Sequence, residues 1–362
     1  MKEIILENDK FDYRVYINNN INKFHNILLE NKIKDSNSIF IITDENVYEA
    51  YEKVLKTLKN KNKYFVYVIE SGEKNKNFNT ISHIYDFLIK KEANRSSIII
   101  ALGGGIVGDI AGFVASTYMR GIGFINVPTT LLSQVDSCIG GKTGYNYKGI
   151  KNIIGNFYNP IFVYVSTYFL KTLNKEEFLA GFGEVIKYAL IKDNNLFDFI
   201  QNNIKYIMEK EQDKLLHIVH ECLFIKAKIV KEDFNDLGIR NSLNFGHTVG
   251  HAIEVSSNYE IFHGEAVALG ILVSLKLSEK KLNLSKDVYN KVVDIYKKVG
   301  LPYKYKVDNY KSFMYAIKHD KKNTNKIMFV LLEKIGKFKI KVEINEKEII
   351  EAMEESICKG EN

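Results

Sequence analysis

Short apolar runs alternate with amphipathic stretches through the first third of the chain. Three of these runs, at 38–43, 64–69 and 96–102, are rich in β-branched and aromatic residues, and helical patterns at 47–58 and 80–90 separate them. Apolar runs separated by helical patterns are typical of parallel βαβ units that are covered on both faces. The pattern therefore predicts an α/β domain.

After about residue 160 the pattern changes. Residues 121–127 and 161–165 are the last two apolar runs of this kind, and mainly helical patterns follow. Runs of one element type followed by runs of another indicate separate domains. The predicted helices are 176–192, 196–210, 213–231, 244–255, 265–280 and 285–299, and a hairpin is predicted from 327–332 and 337–342.

Composition narrows the classes of protein. The 362 residues are 46% hydrophobic, which excludes a disordered chain, and three widely spaced cysteines argue against a disulfide framework. The net charge of +7 suits an anionic small substrate without requiring nucleic acid. The charged start lacks a signal-peptide core, and the apolar stretch 266–275 is about half of a membrane span. We therefore expect a soluble, cytoplasmic protein with no membrane partner.

A glycine-rich turn follows the third predicted strand. Gly103, Gly105 and Gly108 satisfy GxGxxG, a spacing that lets the backbone approach a phosphate at a helix N-terminus. The alternative is a tight turn in a packed α/β layer. No acid follows about 20 residues later, as a Rossmann fingerprint requires. Asp44 and Asn46 lie at the end of an earlier strand and are better candidates to bind the ribose hydroxyls. The turn therefore predicts a dinucleotide site whose connectivity differs from that of a Rossmann fingerprint.

A second polar loop presents cations. Residues 140–143 resemble the end of a Walker A loop, but Asp136 stands where the first glycine is required, so the P-loop interpretation fails. A Gly-Gly turn presenting Lys142 remains, with Lys151 and Asn152 downstream. Such a set suits a phosphate or a carboxylate, and a solvated loop is the alternative.

Three of the eight histidines lie between positions 247 and 263. His247 and His251 are four residues apart and share a helix face, but Thr248 after His247 excludes HExxH. Upstream, Glu184 interrupts an apolar helix. One glutamate and two histidines are a common catalytic zinc set, although spacing alone leaves ordinary hydrogen-bonding histidines as the alternative.

Together these stretches resemble the 3-dehydroquinate synthase family of sugar-phosphate cyclases. The matching segments run in order from near residue 44 to near residue 330. They are 103–109, 118–121, 127–132, 135–142, 151–155, 183–187, 240–254, 263–265 and 320–322.

The resemblance implies an α/β Rossmann-like domain over 1–160 that binds NAD. It also implies a mostly helical domain over 161–362 that binds zinc (or cobalt) and substrate, with the substrate in the cleft. A homodimer is implied as well. The implied reaction converts 3-deoxy-D-arabino-heptulosonate 7-phosphate to 3-dehydroquinate and phosphate in the shikimate pathway, with NAD regenerated in each cycle.

The resemblance also assigns residues. Glu184, His247 and His263 match metal ligands. Cofactor positions are Asp44, Asn46, Glu73, Lys76, Gly104, Gly105, Ile106, Asp109, Thr129, Thr130, Lys142, Lys151 and Thr172. Catalytic positions are Asp136, Lys142, Lys187, Asp236, Asn244 and His251. Substrate positions are Arg120, Asn152, Lys226, Arg240, Lys321 and Lys322, where one of the two last lysines is expected to contact substrate.

Two residues depart from the family pattern, and three alternative functions stay open. Asp236 stands where glutamate is expected, and Gly183 replaces the commoner alanine; neither removes a ligand. The alternatives are a cyclase that makes an inosose or a valiolone, a metal-dependent polyol dehydrogenase, and a basic nucleic-acid binder. Arg240 and the cations at 320–322 favour an acidic substrate, and the modest charge disfavours nucleic acid.

Overall fold

The computed structural model describes residues 1–8, 11–34, 37–57, 63–192, 194–257, 260–307, 309–318 and 326–358. The chain divides into two compact units, Met1–Leu173 and Asn174–Asn362. The division falls later than the predicted boundary after residue 160. The reason is that Phe162–Ser166 hydrogen-bonds into the sheet of the first unit.

Seven strands of the first unit form one sheet, and the predicted α/β architecture is confirmed. All neighbouring strands are parallel except the first pair, which is antiparallel. In chain order they are β1 (Lys2–Asn8), β2 (Phe11–Asn18), β3 (Ser38–Asp44), β4 (Lys63–Ile69), β5 (Ile98–Gly103), β6 (Gly123–Pro128) and β9 (Phe162–Ser166), and the spatial order is β1-β2-β9-β6-β5-β3-β4. A separate antiparallel hairpin consists of β7 (Lys142–Tyr147) and β8 (Ile150–Phe157).

Helices cover both faces of the sheet. They are α1 (Phe24–Glu30), α2 (Glu45–Thr57), α3 (Phe78–Lys90) and α4 (Gly105–Thr117). Alternate residues of β3 enter opposite cores: Ile39 and Ile41 pack in one, Phe40 and Ile42 in the other. Burial on both faces explains why the parallel strands read as continuous apolar runs.

The second unit is mainly helical, as predicted. Its helices are α5 (Lys175–Lys192), α6 (Asn194–Met208), α7 (Gln212–Glu232), α8 (His247–Ser256), α9 (His263–Leu282), α10 (Lys286–Val299), α11 (Tyr310–Lys318) and α12 (Glu346–Ser356). The predicted hairpin is present as β10 (Met328–Lys334) and β11 (Lys337–Glu343). Within the described ranges, no helix has both the length and the hydrophobicity that crossing a bilayer requires.

Candidate functional site

Three side chains with metal-binding chemistry meet in the second unit. Glu184 lies on α5, while His247 and His263 are the first residues of α8 and α9. His247 Nε2 lies 3.4 Å and His263 Nε2 3.6 Å from Glu184 Oε1, and the three ligating atoms lie within 4.8 Å of one another. The fold therefore brings the three predicted ligands to one point, and their role as ligands stays a prediction.

Close packing of α5 against α9 places two of these side chains together. A Cβ atom added to Gly264 would lie 1.7 Å from Ala180 O, and one added to Gly183 would lie 2.4 Å from Gly264 O. Both positions therefore need glycine for the backbones to approach this closely. The close packing thus explains why this chain has glycine at position 183, next to Glu184, where the family pattern more commonly has alanine.

The remaining ring nitrogen of each histidine is held by a hydrogen bond. His247 donates from Nδ1 to Phe245 O at 3.2 Å, and His263 donates from Nδ1 to Glu254 Oε2 at 2.9 Å. These bonds fix the tautomers and direct both Nε2 atoms toward Glu184. Metal-binding histidines characteristically have such partners.

Electrostatics also suit a cation. Burial alone would raise the pKa of Glu184, but the adjacent Lys187 ammonium and the His247 imidazole hold that pKa well below its usual range. Burial lowers the pKa of His247 to about 4. Burial acts to lower the pKa of His263 too, yet the carboxylates of Glu184 and Glu254 raise it to about 10. At neutral pH Glu184 is anionic and His247 neutral, the states that ligation needs, whereas His263 must release a proton.

The hydrogen bonding of Glu184 also supports the fit to a divalent metal. Glu184 is fully buried, and among the described residues no hydrogen bond of good geometry reaches either of its oxygens. A buried carboxylate whose oxygens lack such bonds is costly unless a charge compensates it. Lys187 supplies one positive charge at Oε2. Oε1 faces the two imidazoles, and this set of one carboxylate and two Nε2 atoms fits a divalent ion.

A second group overlaps the first. His251, Glu254 and His263 also place ligating atoms within 4.8 Å of one another. Within this second group, His263 Nδ1 donates a hydrogen bond to Glu254 Oε2. The His251 ring lies 5.4 Å from the ring of His247 and 5.8 Å from that of His263. His251 is thus next to the first group without belonging to it.

Asp233 organises the turn that leads to the predicted carboxylate-binding arginine. Its Oδ1 accepts from Leu237 N at 3.0 Å, and its Oδ2 accepts from Gly238 N at 2.7 Å and Arg240 N at 3.0 Å. Arg240 is 3% exposed, and its guanidinium donates to Phe234 O at 2.6 Å. No sequence motif singled out Asp233, so its role in this turn was missed.

The other predicted substrate and catalytic residues of this unit differ in burial, hydrogen bonding and backbone conformation. Lys187 and Lys226 are buried cations on α5 and α7. Asn244 donates from Nδ2 to Asn241 O at 3.0 Å. Asp236 adopts a left-handed backbone with φ 62°. Lys321 and Lys322 lie outside the described residues.

In the first unit, the predicted cofactor residues follow the carboxyl ends of five parallel strands. The register pairs Asp44 with Ile69 and Gly103 with Pro128, so these ends share one edge of the sheet. Ligands bind characteristically at this edge in open α/β sheets. The residues that follow the ends are Asn46 after β3, Glu73 and Lys76 after β4, Gly104, Gly105 and Ile106 after β5, Thr129 and Thr130 after β6, and Thr172 after β9.

The glycine turn forms a cradle at this edge. Added Cβ atoms on Gly104 and Gly105 would lie 3.1 Å from the side chains of Thr130 and Ser137. Gly104 precedes α4, and no side chain of the described residues caps that helix start. Backbone amides at an uncapped helix start suit a phosphate. Gly104, Gly105, Asp109 and Lys142 line one small cavity there, whereas Asp136 lies on the adjoining π-helical turn Ser133–Ser137.

Lys76 joins residues from three elements. The residue is 4% exposed, and its ammonium lies 2.6 Å from Asp109 Oδ2 and contacts Asn152 Oδ1. Lys151 precedes Asn152 on β8, where Asn152 has φ 50°. The fold thus brings two predicted cofactor residues and one predicted substrate residue together.

The structure also shows the surroundings of three further predicted residues of the first unit. Asp44 Oδ1 accepts from Val47 N at 3.0 Å and caps α2; burial raises the pKa of Asp44. Thr172 Oγ1 lies 2.6 Å from Tyr51 Oη. Arg120 is exposed in a turn with φ 67°.

Two family models cover most of the chain. The model described as 3-dehydroquinate synthase N-terminal matches residues 66–180, and the model described as 3-dehydroquinate synthase C-terminal matches residues 181–323. The chain is also 56% identical over 357 residues to 3-dehydroquinate synthase of Clostridium tetani, which covers 99% of this chain and 95% of the relative.

Solved structures share the fold. ValA, a 2-epi-5-epi-valiolone synthase of Streptomyces hygroscopicus subsp. jinggangensis with NAD+ and Zn2+ bound, has a TM-score of 0.87 at 23% identity, covering 96% of this chain and 97% of that one. A 2-deoxy-scyllo-inosose synthase complexed with carbaglucose-6-phosphate, NAD+ and Co2+ also has a TM-score of 0.87 at 23% identity, covering 98% and 100%. At these identities the similarity concerns the fold alone.

Proposed function

This chain belongs to the 3-dehydroquinate synthase family, and on that premise we propose that it forms 3-dehydroquinate and phosphate from 3-deoxy-D-arabino-heptulosonate 7-phosphate. The observation that carries the proposal is the convergence of Glu184, His247 and His263. These are the positions that match the family's metal ligands. The enzyme is then a phosphate-eliminating cyclase that depends on NAD and a divalent metal.

Glu184, His247 and His263 would hold zinc, or cobalt in its place. A bound divalent metal supplies Lewis-acid stabilisation of negative charge at a substrate oxygen. The protein's own contribution is a rigid ligand set. Glu254 and Phe245 O orient the imidazoles, and Lys187 balances the buried Glu184.

The carboxyl edge of the sheet would hold NAD, which supplies reversible hydride transfer. The cradle of Gly104 and Gly105 at the start of α4 suits the pyrophosphate. Lys76 is held by Asp109 beside this region. Asp44 ends β3 at this edge and is proposed to bind a ribose hydroxyl, in addition to accepting from Val47 N at its Oδ1.

A substrate that carries a carboxylate is favoured over a sugar phosphate that lacks one. Arg240 and Lys226 are both at least nine-tenths buried in the second unit. A buried guanidinium whose backbone and side chain are fixed by the turn is suited to a charge-assisted bond with a carboxylate. In the runner-up, a cyclase that makes an inosose or a valiolone, the substrate would have no carboxylate for these cations to bind.

His251 is positioned to move a hydroxyl proton. Its ring is beside both histidines of the metal group and is not itself part of that group. An imidazole can exchange protons near neutral pH, which general acid–base catalysis requires. In the first unit, Lys142 and Asn152 are proposed to orient the phosphate, Asp136 is proposed as a catalytic group, and Lys151 is proposed to contact the cofactor. In the second unit, Asn244 and Asp236 are proposed as catalytic groups.

A homodimer is proposed as well. Exposed apolar side chains on the β7–β8 hairpin support it: Ile150 is 49%, Ile153 45% and Phe157 43% exposed. Exposed apolar side chains along one hairpin favour an association surface. Sedimentation should give twice the chain mass of 41.7 kDa, and monomeric sedimentation at micromolar concentration would refute this part. The cytoplasmic location stays a prediction from the sequence.

Phosphate release from the heptulosonate phosphate tests the function. With NAD and zinc, the chain should release phosphate and 3-dehydroquinate in equal amounts without accumulating NADH. A chelator should stop the release, and added metal should restore it. Steady NADH accumulation without phosphate release would instead show a polyol dehydrogenase, the alternative from the same fold.

A further inference from the structure

We propose that Asn146 is a positioning residue that holds the loop after β4 against the β7–β8 hairpin, so that both are ordered for the dinucleotide. Neither the motifs nor the family resemblance assigned this residue. The inference rests on the proposed NAD-dependent function, and it adds a requirement that the function alone does not contain.

Asn146 makes three hydrogen bonds, of which two join the segments and one lies within the hairpin. Its Nδ2 donates to Glu73 Oε1 at 2.7 Å, and its backbone N donates to Lys76 O at 2.8 Å. Its Oδ1 accepts from Asn152 N at 2.8 Å. One short side chain thus contacts a predicted cofactor residue and a predicted substrate residue.

The bond to Asn152 acts where the backbone is unfavourable. Asn152 has φ 50°, a left-handed conformation that costs free energy for a residue other than glycine. Asn146 holds the amide of this residue, and Lys76 contacts its side-chain oxygen. Lys76 in turn is fixed by Asp109 at 2.6 Å. Asn146 therefore stabilises one end of a connected polar network.

The chemistry of the position requires an amide. One group must donate to the carboxylate of Glu73 while another accepts from a backbone N–H. An aspartate would keep the acceptor but place a carboxylate against that of Glu73. Substitution by aspartate should therefore cost more than the loss of one hydrogen bond.

Titration of the full-length, metal-loaded protein with NAD tests the inference. Asn146→Ala should raise the dissociation constant of NAD about tenfold. This is the change expected for the loss of one to two net hydrogen bonds. Metal content should stay unchanged, because the metal group lies in the other unit. Asn156→Ala is the matched control, since Asn156 is exposed on the same hairpin and its side chain makes no hydrogen bond to any described residue.

A double-mutant cycle separates positioning from general destabilisation. Asn146→Asp should weaken NAD binding strongly in the wild-type background. In a Glu73→Gln background it should have little effect, because the side-chain amide introduced in place of Glu73 can donate to the new carboxylate. Equal effects in the two backgrounds, or a folded Asn146→Ala protein with wild-type NAD affinity, would overturn the inference alone. A wild-type protein that binds no NAD would overturn the proposed function and this inference with it.

Discussion

His263 donates its Nδ1 hydrogen to Glu254 Oε2 at 2.9 Å, while its Nε2 lies 3.6 Å from Glu184 Oε1. Glu254 is 4% exposed and lies on a different helix from His263. The bond fixes the tautomer of the imidazole and the direction of Nε2. Glu254 therefore orients His263, one of the three proposed metal ligands.

Replacing Glu254 should weaken metal binding. Glu254→Gln should lower zinc affinity by roughly 10- to 100-fold, the effect usual for the loss of such an outer partner. Competition with a chromophoric chelator measures the affinity, and the visible spectrum of the cobalt-loaded protein reports ligand geometry. The exposed Glu260→Gln is the control. Equal zinc affinity in the Glu254→Gln and Glu260→Gln proteins would refute the role.

The close approach of α5 and α9 gives a second prediction. An added methyl group at Gly264 would lie 1.7 Å from Ala180 O, and one at Gly183 would lie 2.4 Å from Gly264 O. Gly264→Ala should therefore destabilise the protein by about 1–3 kcal/mol or more and reduce metal content. Gly183→Ala should have a smaller effect. Thermal unfolding with metal analysis checks both, and a fully metal-loaded Gly264→Ala protein of unchanged stability would contradict the packing argument.

Asp233 predicts a pH dependence of stability. Burial acts to raise the pKa of Asp233, but backbone N–H groups of Leu237, Arg240 and Gly238 lower it overall. A carboxyl group with a lowered folded-state pKa contributes stability above its unfolded pKa of about 3.9 and loses that contribution as pH falls through the folded value.

The comparison with Asp233→Asn isolates this contribution. The wild-type protein should unfold at a higher temperature than the variant from pH 5 to pH 7. The difference in unfolding temperature should shrink below about pH 4, as the carboxylate becomes protonated. A difference that grows as the pH falls would show that the charge of Asp233 does not stabilise the turn.

The sequence predicted the central strands because their apolar runs are buried on both faces, and it predicted most of the helices from their helical patterns. It missed the first hairpin of β1 and β2, and it missed the β7–β8 hairpin. Strand β8 is mostly exposed, and its burial pattern has no regular alternation. A two-stranded hairpin that buries little apolar surface leaves a weak periodic signal.

For the site, pattern and resemblance identified residues but not their distances. The bond between Glu254 and His263 depends on how α8 packs against α9. Asn146 gave no signal, because one asparagine within a polar loop is not a motif. Such contacts form between segments distant in sequence, and no local pattern encodes them.

Metal content of two histidine variants tests the central claim most directly. The account assigns the metal to Glu184, His247 and His263 rather than to the overlapping group of His251, Glu254 and His263. His247→Ala should therefore purify without zinc, because only two protein ligands remain. His251→Ala should retain one zinc ion per chain and lose activity. A zinc-loaded His247→Ala protein together with a zinc-free His251→Ala protein would contradict the account.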